Sequence, residues 1–222
     1  KPIALPPQAR LSFRAHYPDL TLKLTVRGED IKEFAALAAQ IRHVLGEHIY
    51  GEGDVTLEEI VGKLLKQRGW WLALAESCTG GLVAATISEI PGSSAVLDRG
   101  FVTYSNEAKQ QMLGVTPATI DVYGAVSTEC AEEMAKGALA HASVDLAVSI
   151  TGIAGPTGAV AGKPIGLVYF CAASRSGRVI AHDRKYGDIG RAEVRKQSVL
   201  QALGMLRELA EKEEPQPPAG KS

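Results

Sequence analysis

Leu20, Leu22, Leu24 and Val26 alternate with polar residues, so that all four fall on one side of an extended segment. This period of two predicts a half-buried strand over residues 20–27, and residues 11–17 predict another before it. The period then changes. Ile31, Phe34, Leu37, Ala38, Ile41, Val44 and Leu45 recur at three- and four-residue spacing, the apolar stripe of an amphipathic helix. Asp30 is its expected cap and Gly46 its expected end. These elements predict a small α+β (β-β-α) domain over residues 1–53, with a Pro-rich start and a boundary at Gly51-Glu52-Gly53-Asp54. About fifty residues bury too little apolar surface to build a large core alone.

Beyond the boundary, Thr56 and Glu59 have the spacing of a capping box, and Gly69 ends the helix that follows. Short apolar runs then alternate with helical patterns. The expected strands cover 71–75, 100–104, 145–150, 166–173 and 178–185, and the helices 82–89, 106–113, 128–142 and 192–211. Such alternation predicts a three-layer α/β/α fold over 54–212, with a mostly parallel, mixed sheet of about five strands. The last two strands are separated only by Ser174-Arg175-Ser176-Gly177, so a hairpin is expected to add an antiparallel edge. Residues 213–222 contain three prolines and are expected to be a disordered tail.

Composition narrows the function classes. Hydrophobic residues make up 45% and charged residues 22%, with a net charge of −1. That balance fits a soluble globule and gives no long-range attraction for nucleic acid or an anionic membrane. Arg10, Arg14, Lys23 and Arg27 form no dense basic patch. No apolar run approaches the ~20 residues of a bilayer span, and the start of the chain lacks a signal-peptide pattern. The missing initiator Met leads us to expect a fragment or a processed product. Three widely spaced cysteines, Cys78, Cys130 and Cys171, fit a reducing cytoplasm better than a disulfide framework. With no CxxC or HExxH motif, neither a metal nor another cofactor is expected.

Open α/β sheets bind ligands beyond the carboxyl ends of their strands, and three polar clusters fall there. The first is Ser77-Cys78-Thr79-Gly80-Gly81, at a strand-to-helix turn. A hydroxyl or thiol here can act as a nucleophile beside helix N-terminal amides, or the Ser and Thr can simply cap the helix. The second runs from Thr103 through Tyr104 to Lys109 and offers a base, since a desolvated lysine can be neutral and remove a Ser proton. The third, Thr151 to Gly158, is a glycine-rich turn without dinucleotide or P-loop spacing. Arg191 and Arg195, one helical turn apart, suit a phosphate. None of the five histidines lies in these clusters.

AESCTGG, GFVTYSNEAKQQMLGV, YGAVS, SITGIAGPTG, KPIGLVYF and GDIGRAEVRKQSV occur in this order. Together they resemble the C-terminal domain of the CinA family, over about residues 54–210. Residues 11–53 resemble the small linking domain that precedes it in two-domain members. The resemblance implies hydrolysis of the carboxamide of nicotinamide mononucleotide (NMN) to nicotinic acid mononucleotide and ammonia. It further implies Ser77 as nucleophile, with Tyr104 and Lys109 completing a Ser–Lys type site. Thr79, Gly80 and Gly81 would lie on the oxyanion side, and Thr151, Gly152, Gly155 and Arg191 would hold the nucleotide. Many relatives have GDR where this chain has Gly187-Asp188-Ile189-Gly190-Arg191. A homodimer or larger homo-oligomer is expected. The alternative is a nucleotide-binding regulatory module without turnover.

Overall fold

Residues 3–16, 19–28 and 31–214 are described in the computed structural model, and the chain divides into two units, residues 1–55 and 56–222. The expected cap at Asp30, the strand end at Tyr17 and the tail from 215 onward lie outside the described residues. In the first unit β1 (Ala9–His16) and β2 (Asp19–Val26) pair antiparallel. Leu11 lies opposite Leu24 and Phe13 opposite Leu22, so the apolar residues of both strands share one face. A two-stranded hairpin is marginal in water by itself, and α1 (Ile31–Leu45) supplies buried Leu37 and Ile41 to the unit.

The second unit opens with α2 (Leu57–Arg68). Its capping box forms in both directions: the Glu59 amide donates to Thr56 Oγ1 at 3.4 Å and the Thr56 amide to Glu59 Oε2 at 3.0 Å. Next come β3 (Leu72–Glu76), α3 (Leu82–Ser88), β4 (Leu97–Val102), α4 (Asn106–Leu113), α5 (Pro117–Tyr123) and α6 (Thr128–His141). β5 (Leu146–Gly152), β6 (Leu167–Ser174), β7 (Val179–Lys185) and α7 (Arg191–Lys212) complete it.

The sheet order is β4-β3-β5-β6-β7. β3 is parallel to both β4 and β5, while β6 is antiparallel to β5 and β7. Four strands therefore run one way and β6 alone runs against them. A parallel return needs a crossover, usually a helix, and the β5–β6 connection contains none. Helix α6 packs on one face of the sheet, backed by α4 and α5, and α7 packs on the other with α2 and α3. Covered on both sides, β3 buries every residue, which is why it reads as a continuous apolar run rather than an alternation.

Three differences from the sequence reading matter. Helix α5 was not expected; Thr116 caps it, accepting the Thr119 amide at 3.2 Å, and Pro117 fills its first turn. β4 stops at Val102, and Tyr104 lies in the loop beyond it. Glu213 belongs to the fold rather than to a tail: it is buried and pairs with Arg178 at 3.3 Å.

Candidate active site

The central strand β3 ends at Glu76, flanked by Val102 of β4 and Ile150 of β5. Past these ends the chain stays laced together. The Ser77 amide donates to the Ile150 carbonyl at 2.9 Å, and the Thr103 amide to the Glu76 carbonyl at 2.8 Å. The chain then turns through Gly80 (φ 60) and Gly81 (φ 91), left-handed values that suit glycine, into α3. The first two polar clusters are thereby brought together at one sheet edge.

Lys109 comes from the neighbouring helix. Ser105 caps α4, its Oγ accepting the Ala108 amide at 3.0 Å, and Lys109 lies in the first turn. Its side chain is 1% exposed. Nζ lies 2.9 Å from Ser77 Oγ and 2.9 Å from the Thr103 carbonyl oxygen, donating to both. Burial pushes the amine below the ordinary lysine value, opposed only by the Cys130 and Cys78 thiols. Once deprotonated, Nζ has a lone pair at hydrogen-bonding distance from the Ser77 hydroxyl. Cys78 is a poor competitor as nucleophile: its thiol is buried, and burial pushes its pKa up to about 12.

Neither hydroxyl of the turn caps α3. Its N-cap is Gly81, which makes no side-chain cap, and a residue not singled out in the sequence, Glu76, takes that role from the strand. Glu76 is buried and accepts the amides of Gly81 and Val83 on Oε2, both at 3.0 Å, and that of Ala84 on Oε1 at 2.9 Å. This corrects the expected oxyanion side. The Gly81 amide is held by Glu76 and the Gly80 amide by the Ser77 carbonyl at 3.0 Å. Of the three, only the Thr79 amide lacks a partner among the described residues. The Thr79 and Thr103 hydroxyls are also buried without a partner.

Tyr104 does not stand between Lys109 and Ser77. It is 56% exposed, and its hydroxyl accepts from Arg191, while Lys109 contacts Ser77 directly. Arg191, the first residue of α7, also donates to the Gly155 carbonyl at 3.1 Å. Arg195 reaches the Thr79 carbonyl with Nε at 3.3 Å and with its terminal nitrogen at 2.6 Å. No ion pair to either arginine occurs among the described residues.

The glycine loop divides by role. Thr151 donates to the Ala125 carbonyl at 2.6 Å, tying β5 to the segment before α6. A β-carbon at Gly152 would lie 2.7 Å from Val168 Cγ2 and 2.8 Å from the Leu167 carbonyl, so this glycine permits close packing of β6. Of the third cluster, Gly155 is the residue that contacts Arg191. A groove of about 200 Å³ between α2 and residues 90–96 includes none of these groups. Among the described residues, no group of three or more His, Cys, Asp or Glu side chains suits a metal ion. No helix there is long and apolar enough to cross a membrane.

Residues 54–210 match the model of the CinA C-terminal domain. The chain belongs to the CinA family. It is 47% identical over 199 residues to a Clostridium perfringens protein named as competence-damage inducible, covering 87% of this chain and 48% of that relative. A CinA-like protein of Anaeromyxobacter dehalogenans is 44% identical over 202 residues, covering 89% and 48%. The chain thus spans about half the length of the curated CinA relatives it matches. Among solved structures, the competence/damage inducible protein CihA of Agrobacterium tumefaciens matches with a TM-score of 0.66 at 47% identity, covering 72% of this chain and 99% of that one. ComA of Klebsiella pneumoniae matches at 0.68 and 37% identity, covering 71% and 97%.

Proposed function

We propose that this CinA-family chain is an amidohydrolase that converts NMN to nicotinic acid mononucleotide and ammonia, with Ser77 as nucleophile and Lys109 as its base. The observation that carries the reading is the buried Lys109 Nζ, 2.9 Å from Ser77 Oγ, with its pKa lowered by desolvation. A binding module needs neither a nucleophile nor a base aimed at it.

The steps follow from these groups. Neutral Lys109 removes the Ser77 proton as Oγ attacks the amide carbon. Lys109 returns the proton to the leaving nitrogen, ammonia departs and an acyl-serine remains. Lys109 then deprotonates a water that attacks this ester, releasing nicotinic acid mononucleotide and restoring Ser77. Arg191, with the amides at the start of the 22-residue α7, suits the phosphate. That remote binding positions the carboxamide.

Ammonia release should be measured over a panel of pyridine nucleotides and nucleosides. Ser77→Ala is expected to lose activity; retention within about tenfold of the parent sinks the assignment. Arg191→Ala is expected to raise KM for NMN and to leave whatever turnover the parent shows on nicotinamide riboside, which lacks the phosphate, unchanged. An equal loss on both substrates would remove Arg191 from the phosphate site.

A further inference from the structure

The carboxylate next to Ser77 does more than an ordinary helix cap. Such caps are short side chains at the residue where the helix begins, accepting one or two amides. Glu76 instead reaches forward from the last position of β3, and its 1% exposure leaves its carboxylate surrounded by protein. Its backbone is held between β4 and β5, while its two oxygens hold the amides of Gly81, Val83 and Ala84. The four residues between these anchors, Ser77 to Gly80, form a closed loop whose shape the carboxylate sets. On the far side of that loop, Arg195 grips the Thr79 carbonyl at 2.6 Å.

We propose that Glu76 is a positioning residue of the hydrolase: by holding the first amides of α3, its carboxylate fixes the Ser77 hydroxyl against Lys109. The proposal rests on the reading of Ser77 as nucleophile. The chemistry at position 76 requires acceptors on both oxygens. A glutamine puts its NH2 against at least one of the three backbone N–H groups, donor facing donor, and the turn must shift to relieve it. Lys109 comes from another helix and does not follow that shift.

Two readouts test this. One is ammonia release from NMN, and the other is the rate at which a fluorophosphonate labels Ser77, followed by intact mass. In Glu76→Gln we expect kcat to fall on the order of a hundredfold, with KM for NMN held within about threefold. Labelling should slow in parallel, and Glu76→Asp, which keeps both acceptor oxygens, should recover part of the loss. The acid limb of the pH–rate profile should stay in place, because Lys109 remains buried. Folded Glu76→Gln with kcat within about threefold of the parent, or with its loss confined to KM, overturns the proposal. If that variant does not fold, Glu76→Ala, which removes both acceptor oxygens, is judged by the same thresholds. A parent that labels at Ser77 but releases no ammonia from NMN overturns the substrate reading, and the labelling rates then decide on Glu76. A parent that does not label overturns the nucleophile, and this proposal with it.

Discussion

The two ends of the five-stranded sheet bury charge to similar depth and treat it in opposite ways. At the amino end of β5, Asp145 is 4% exposed, accepts the Trp71 amide at 2.8 Å and pairs with Arg175 at 3.2 Å. Glu213 lines the same small space and faces Arg178 at 3.3 Å. At the carboxyl end, Lys109 meets a hydroxyl and a carbonyl oxygen. A buried ion pair compensates each charge and holds segments together, with little net gain over an apolar contact. A buried cation surrounded only by dipoles gives up its proton more readily. Charge is compensated where the chain is joined, and left uncompensated where we propose that a proton must move.

The largest effect should come from removing the uncompensated charge. Lys109→Met is expected to lower ammonia release about a thousandfold, the middle of the range for loss of a general base. It should also change how stability depends on pH. The folded pKa of Lys109 lies below its unfolded value. Between the two, the unfolded chain holds a proton that the folded chain lacks, so parent stability rises with pH across that window. Below the folded pKa both states are protonated, and the cost of burying the cation is fully present. The parent should therefore gain on Lys109→Met as pH approaches the ordinary lysine range, and its activity should rise over the same limb. Denaturant unfolding at several pH values measures this. Parallel stability profiles for the two proteins would contradict a low-titrating Lys109.

At the other end the effect should be on stability alone. Asp145→Ala removes the acceptor of the Trp71 amide and the anionic partner of Arg175, and is expected to cost about 2 kcal/mol in unfolding free energy. Turnover per folded molecule should be unchanged. If ammonia release by the folded fraction fell as far as in Lys109→Met, the separation between the two ends would fail.

How much of this was legible in the sequence follows the same division between local and tertiary causes. The capping box of α2, the glycine at its end and the continuous apolar run of β3 are local, and each reads directly. Ser77 and Lys109 were legible as partners because they follow consecutive strands, and consecutive strands tend to be neighbours. Glu76 was not, because its role exists only once the chain doubles back through Gly80 and Gly81. Gly152 looked like part of a binding loop, yet Val168 on another strand dictates it, and a sequence does not distinguish a glycine kept for a ligand from one kept for a neighbour. Helix α5 carries no apolar stripe: Thr119 is its buried residue, held by Glu133 at 2.6 Å. Its cap and proline were visible without the periodicity that gives them meaning.

The comparison sharpens to two adjacent residues, where the smallest effect is expected. Ser77 and Cys78 share a turn, a helix terminus and a lysine, and by intrinsic reactivity the thiol should dominate. What separates them is direction and burial. Ser77 Oγ meets Lys109 Nζ, whereas the Cys78 thiol is held protonated by burial, which outweighs the opposing pull of Lys109 and Arg191. Cys78→Ala should therefore keep ammonia release within about threefold of the parent. Iodoacetamide should modify Cys78 in the native protein far more slowly than in the unfolded chain. A large loss of turnover in Cys78→Ala, together with rapid native alkylation at that position, would move the nucleophile one residue along the chain and leave Lys109 serving a thiol.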